Sequence, residues 1–134
     1  MKDAWIFPGQ ASQKVGMGKD LFENTKIGKK YYEIANDLLD SDIQSVSFNG
    51  PEELLKKTKH TQPAIFIVST IIGQIMIENG YSADGVAGHS LGEYSALVVA
   101  GAFDFVSGLE SVSYTHLRAH ETLRYLVCRL LLEK

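Results

Sequence analysis

Residues 84–101 constrain this chain more tightly than any other stretch. Asp84-Gly85-Val86-Ala87-Gly88 is a short strand-like run, and His89-Ser90-Leu91-Gly92 is a turn. Residues 91–100, rich in Ala, Leu and Val, then read as a helix closed by Gly101. A strand that enters a helix through one tight turn leaves the apex residue, Ser90, standing clear of the chain on either side. Glycines at 88 and 92 let strand and helix approach closely and leave room above the hydroxyl. Such a turn suits a nucleophilic serine, which needs exposure, a base for its proton and amide donors facing a developing oxyanion. The Leu91 N–H sits at the helix start, where the dipole assists a donor. His89 adjoins Ser90, so its side chain points away from the hydroxyl and it reads as structural.

The rest of the chain supplies the layers of an α/β domain. Ala4-Trp5-Ile6-Phe7 is a buried-strand run ended by Pro8-Gly9. Gly16 and Gly18 mark a loop, and a helical stretch begins over residues 20–24. Residues 27, 31, 34, 35, 38 and 39 are apolar at helical spacing. Asn49-Gly50-Pro51 breaks the chain, and Glu52-Glu53 followed by Lys56-Lys57 gives a short helix whose charges suit its dipole. Thr61 is the expected N-cap, with Pro63 in the first turn, of a long apolar helix reaching Glu78 and stopped by Asn79-Gly80. Residues 63–77 fall short of the roughly 20 a membrane span needs, so this reads as a core helix. His60, just before that N-cap, reads as a solvated residue, and Glu93 and Tyr94 as organisers of the later helix start.

At 134 residues, with 45% apolar and 22% charged side chains, there is room for one modest domain. A net charge of −3 advertises no surface for nucleic acid, and the N-terminus lacks the apolar run of a signal peptide. No metal-ligand spacing appears, and the single cysteine, Cys128, fits a reducing cytosol. Composition changes near residue 110. Before it lie nine Lys, no Arg and every glycine; after it lie Arg118, Arg124, Arg129 and Lys134. Even mixing would put all three Arg among the last four basic residues about one time in seventy. Residues 1–110 and 111–134 therefore read either as one domain ending in a basic C-terminal helix or as a body and a tail of different origin. Within the tail, residues 123, 126, 127, 130 and 131 are apolar at helical spacing.

Gly88-His89-Ser90-Leu91-Gly92-Glu93-Tyr94-Ser95-Ala96, followed by Ala100-Gly101-Ala102, resembles the serine motif of malonyl-CoA:acyl-carrier-protein transacylases. Phe7-Pro8-Gly9-Gln10-Ala11-Ser12-Gln13 with Gly16-Met17-Gly18 resembles that family's opening motif, and Thr61-Gln62-Pro63-Ala64 its middle one. The resemblance covers residues 1–109. It implies the N-terminal part of a hydrolase-like acyltransferase domain, with a short parallel sheet, a nucleophile elbow and no cofactor. It also implies Ser90 as nucleophile, the Gln10 side chain and Leu91 amide as oxyanion donors, and malonyl-CoA and acyl carrier protein as partners of a cytoplasmic, monomeric enzyme. Ala11 stands where glycine is more frequent, a small-for-small change expected to leave the loop undisturbed.

The same resemblance implies three parts that this chain lacks. They are a histidine base far downstream, an arginine for the malonyl carboxylate and a small ferredoxin-like subdomain over the cleft. The arginine is implied in an Arg-Gly context near position 115, but Thr115 stands there and Arg-Gly occurs nowhere. His116, Arg118 and His120 lack the family context and are not read as substitutes. Residues 113–122 resemble a run found at the ends of unrelated draft translations. An α/β-hydrolase esterase, a polyketide-synthase acyltransferase domain and a non-catalytic carrier-protein or CoA-binding piece stand as alternatives.

Overall fold

Strand β1 (Ala4–Phe7) and strand β2 (Gly85–Gly88) pair in parallel, with Trp5 opposite Val86 and Phe7 opposite Gly88. The coordinates are a computed structural model that describes residues 2–115 and 130–131. Between the two strands run helices α1 (Lys19–Asn24), α2 (Lys26–Leu38), α3 (Ile43–Asn49), α4 (Glu52–Leu55) and α5 (Thr58–Glu78). After β2 come α6 (Gly92–Val99) and α7 (Phe105–Thr115). A two-residue strand β3 (Leu130–Leu131) adds antiparallel to the far edge of β2. The α/β class and the short parallel sheet are as expected. The helical spacing read for positions 130 and 131 is not followed, because these residues pair with β2 instead.

Helix α5 is the spine. It is apolar around most of its circumference, which favours burial on all sides, and it touches α2, α3, α4, α6 and α7. Phe66 stacks on Phe105 at 5.6 Å between ring centroids, and Phe105 on Tyr31 at 3.9 Å. Gly73 lets α6 lie close: a Cβ there would come within 2.4 Å of the Val99 side chain.

Three expectations about α5 need correction. It begins at Thr58, because the His60 and Thr61 amides both donate to the Lys57 carbonyl. Thr61 is therefore inside the helix, where its hydroxyl donates to the Leu55 carbonyl and ties the end of α4 to the spine. Pro63 lies in the second turn. His60 is buried rather than solvated, and burial beside Lys59 and Lys57 pulls its imidazole below the ordinary range. At 21 residues α5 is also long and apolar enough to cross a bilayer, yet two-thirds of it is packed inside this fold.

Two helices were not anticipated. In α3 the Asp42 carboxylate caps the first turn by accepting from the Ser45 amide at 3.0 Å, while Ile43 and Val46 turn inward. In α7 Asp104 accepts from the Ser107 amide at 2.7 Å, and Phe105, Leu109 and Val112 are buried. Those hydrogen bonds hold the Asp104 carboxyl below its ordinary range. Helix α7 runs without interruption through the change of composition at residue 110.

Candidate active site

Ser90 occupies the turn between β2 and α6 with φ of 54°, in the left-handed region that β-carbons disfavour, and it is exposed. Four backbone bonds hold the turn. The His89 amide donates to Phe7 at 3.0 Å, Gly92 to His89 at 3.0 Å, Glu93 to Ser90 at 3.0 Å and Tyr94 to Leu91 at 3.1 Å. Among the described residues the Ser90 and Leu91 amides donate to nothing. The Leu91 side chain is buried, so it anchors the turn while its N–H stands at the start of α6. That N–H carries the positive end of the helix dipole.

The glycines flanking Ser90 are required by contact. A Cβ on Gly88 would lie 2.0 Å from the Gly92 carbonyl carbon, and one on Gly92 would lie 2.1 Å from the Phe7 carbonyl oxygen. Gly9 plays the same part from the other side, since its Cβ would lie 2.5 Å from the His89 oxygen and 3.1 Å from His89 Nδ1. The chain leaving β1 is thereby pressed against the elbow. Gln10 follows at once, exposed, in a turn with Ala11. Ala11 has φ of 86°, and its amide donates to Gln13 Oε1 at 2.9 Å. The alanine is therefore not the neutral change expected, because its methyl group meets a left-handed backbone that glycine would adopt freely.

Gly9 and His89, 80 positions apart in sequence, thus meet, with Gln10 next along the chain from Gly9 and Ser90 next from His89. Glu93 lies in the first turn of α6 and is buried. Burial raises its carboxyl pKa, and the neighbouring His89 draws it partly back. Among the described residues no side chain hydrogen-bonds the Ser90 hydroxyl. His116, Arg118, His120 and Cys128 lie outside the described residues, as do positions 123, 126 and 127.

Residues 4–127 match the acyl transferase domain family, and the chain belongs to it. Within that family it is 46% identical over 112 residues to the malonyl CoA-acyl carrier protein transacylase of Synechocystis sp., covering 84% of this chain and 38% of that protein. The crystal structure of the Synechocystis protein superposes with a TM-score of 0.80. A polyketide biosynthesis malonyl CoA-acyl carrier protein transacylase of Bacillus velezensis is 44% identical over 109 residues, covering 81% of this chain and 37% of that protein. A malonyl-transacylase solved in complex with a type II polyketide acyl carrier protein is 41% identical, with a TM-score of 0.78, over 84% of this chain and 37% of that one. The chain spans little more than a third of the length of these relatives. The family match sets aside the esterase alternative.

Proposed function

We propose that this chain carries the nucleophile of a malonyl-CoA:acyl-carrier-protein transacylase. The observation that supports it most is the exposed Ser90 in a left-handed turn, beside an uncommitted Leu91 amide at a helix start. In the first half-reaction Ser90 Oγ attacks the thioester carbonyl of malonyl-CoA while a base takes its proton. The oxyanion is held by the Leu91 N–H and the Gln10 side chain. The C–S bond then breaks, the CoA thiol leaves with a proton, and a serine ester remains. In the second half-reaction the phosphopantetheine thiol of acyl carrier protein gives its proton to the base and attacks that ester, the acyl C–Oγ bond breaks to leave a malonyl thioester on the carrier, and Ser90 Oγ takes the proton back. The base and the carboxylate-binding arginine come from the part of the enzyme beyond this stretch. Without them Ser90 stays protonated near neutral pH, and loss of a base typically removes roughly three to six powers of ten in rate.

A chimera tests the assignment: residues 4–109 joined to the complementary part of the Synechocystis enzyme, incubated with malonyl-CoA and examined by intact mass. The expected result is one malonyl group on Ser90 that transfers to holo acyl carrier protein and vanishes in Ser90→Ala. An unmodified chimera, or an adduct that survives Ser90→Ala, would overturn it. The isolated chain is expected to acquire the adduct far more slowly, if at all within hours. The parent enzyme on this reading is a cytoplasmic monomer, checked by fractionation and light scattering. The polyketide relative keeps a polyketide carrier as the second reading, and rates with fatty-acid and polyketide carriers separate the two.

We further propose that residues 111–134 differ in origin from residues 1–110, on the concentration of all Arg in the tail and all Gly in the body. The family match nevertheless continues to residue 127. A source read running continuously from codon 108 into Ser113–Lys134 would refute a junction.

A further inference from the structure

His89 touches both sides of the site. Its amide donates to the Phe7 carbonyl at the end of β1, and its carbonyl accepts from the Gly92 amide at the start of α6, each at 3.0 Å. The ring faces the loop that leaves β1. A Cβ on Gly9 would stand 3.1 Å from His89 Nδ1, so the ring edge covers the side of Gly9 that a side chain would occupy. Beyond Gly9 the loop is open: Gln10 and Ala11 are exposed, and Ala11 holds a left-handed backbone that alanine disfavours. An exposed loop of this kind moves unless a neighbour confines it. Glu93, buried in the first turn of α6, has its amide on the Ser90 carbonyl. His89 draws the raised pKa of the Glu93 carboxyl partly back, and that attraction favours a ring held close to the elbow.

We propose that His89 is a positioning residue: its imidazole is the wall that confines the Gly9–Gln10 turn and so sets the separation of Gln10 from the Leu91 amide. The inference rests on the reading of Gln10 and Leu91 as the two sides of the oxyanion site. A donor helps only where it meets the developing charge, and a displacement of about 1 Å costs up to roughly a hundredfold in rate. His89 makes no hydrogen bond to the Ser90 hydroxyl, so it acts through the turn and not as the base.

Two measurements test it. In the full chain, His89→Ala should quicken amide exchange at Gln10 and Ala11 at least about fivefold and leave residues 93–99 of α6 unchanged. In the chimera with the Synechocystis enzyme, the same variant should lower kcat about tenfold to a hundredfold per Ser90 that takes a malonyl group, with KM for malonyl-CoA within about twofold. A role in folding alone would reduce the number of reactive serines and not the turnover of each. His89→Asn, which keeps a planar polar group near the place of Nδ1, should recover most of both effects. The inference is overturned by unchanged exchange at Gln10 and Ala11 in His89→Ala, by full turnover in that variant, or by His89→Asn no better than His89→Ala. A chimera whose parent form takes no malonyl group defeats the assignment of Ser90 instead, and exchange in the full chain then decides the role of His89 by itself.

Discussion

Ser90 and Ala11 both hold a left-handed backbone, at φ of 54° and 86°, but they are held in different ways. The Ser90 turn is clamped from three sides, by close contacts at Gly88, Gly92 and Gly9 and by backbone bonds across to β1. The Ala11 turn is exposed, and its amide is held by a hydrogen bond to the Gln13 side chain. Strain that packing over-determines can be kept as a rigid feature of a site, whereas strain in an open loop is carried with little to enforce it. Ser90 is therefore pre-positioned, and the turn that carries Gln10 is the softer of the two.

The largest effect that breaks this contrast is expected from Gly92→Ala. Its methyl group would meet the Phe7 carbonyl, so β1 must part from α6, at about 2–3 kcal/mol in chemical denaturation. Stability equal to the parent would show that the elbow is not clamped. Ala11→Gly should act in the opposite direction. Relief of roughly 1–2 kcal/mol of left-handed strain, less glycine's extra chain entropy of about 0.5–1 kcal/mol, leaves a gain of up to about 1.5 kcal/mol. An unchanged or lower Tm would mean the loop tolerates alanine as first expected.

Gln13→Ala should be smaller again, about 0.5–1 kcal/mol, and confined to the loop. Amide exchange is expected to quicken at Ala11 and not at residues 89–92; acceleration at both would tie the two turns together. The least effect should come from pH acting on Glu93. Its folded pKa is raised, so its favourable contribution is full below the unfolded value, near 4.3, and is lost as pH rises through the folded value. Glu93→Gln should therefore gain stability relative to the parent as pH increases from 4 to 7. A difference that is flat with pH would remove burial of this carboxyl from the account of the elbow.

Local chemistry made much of this legible in advance. The glycines around Ser90, the run before it and the helix after it follow from short-range rules, as does the charge order of α4. The long apolar helix was evident, but its start was misjudged. Thr61 has the chemistry of an N-cap, yet its hydroxyl is taken by the Leu55 carbonyl and the helix begins a turn earlier. Caps at Asp42 and Asp104 were present in the sequence, where neighbouring turn residues masked them.

The sequence by itself determined that Ser90 sits at a strand-to-helix turn, because backbone permissiveness and apolar spacing are properties of adjacent residues. Only the tertiary structure decided that Gly9, the residue before Gln10, lies against His89. That placement depends on β1 pairing with β2 at an offset of 81 positions and on the absence of a Cβ at Gly9, Gly88 and Gly92. It also decided that His60 is buried, Ile6 is bare and Ala11 is strained. Each of these depends on which distant surface arrives at the residue, and no local pattern encodes that.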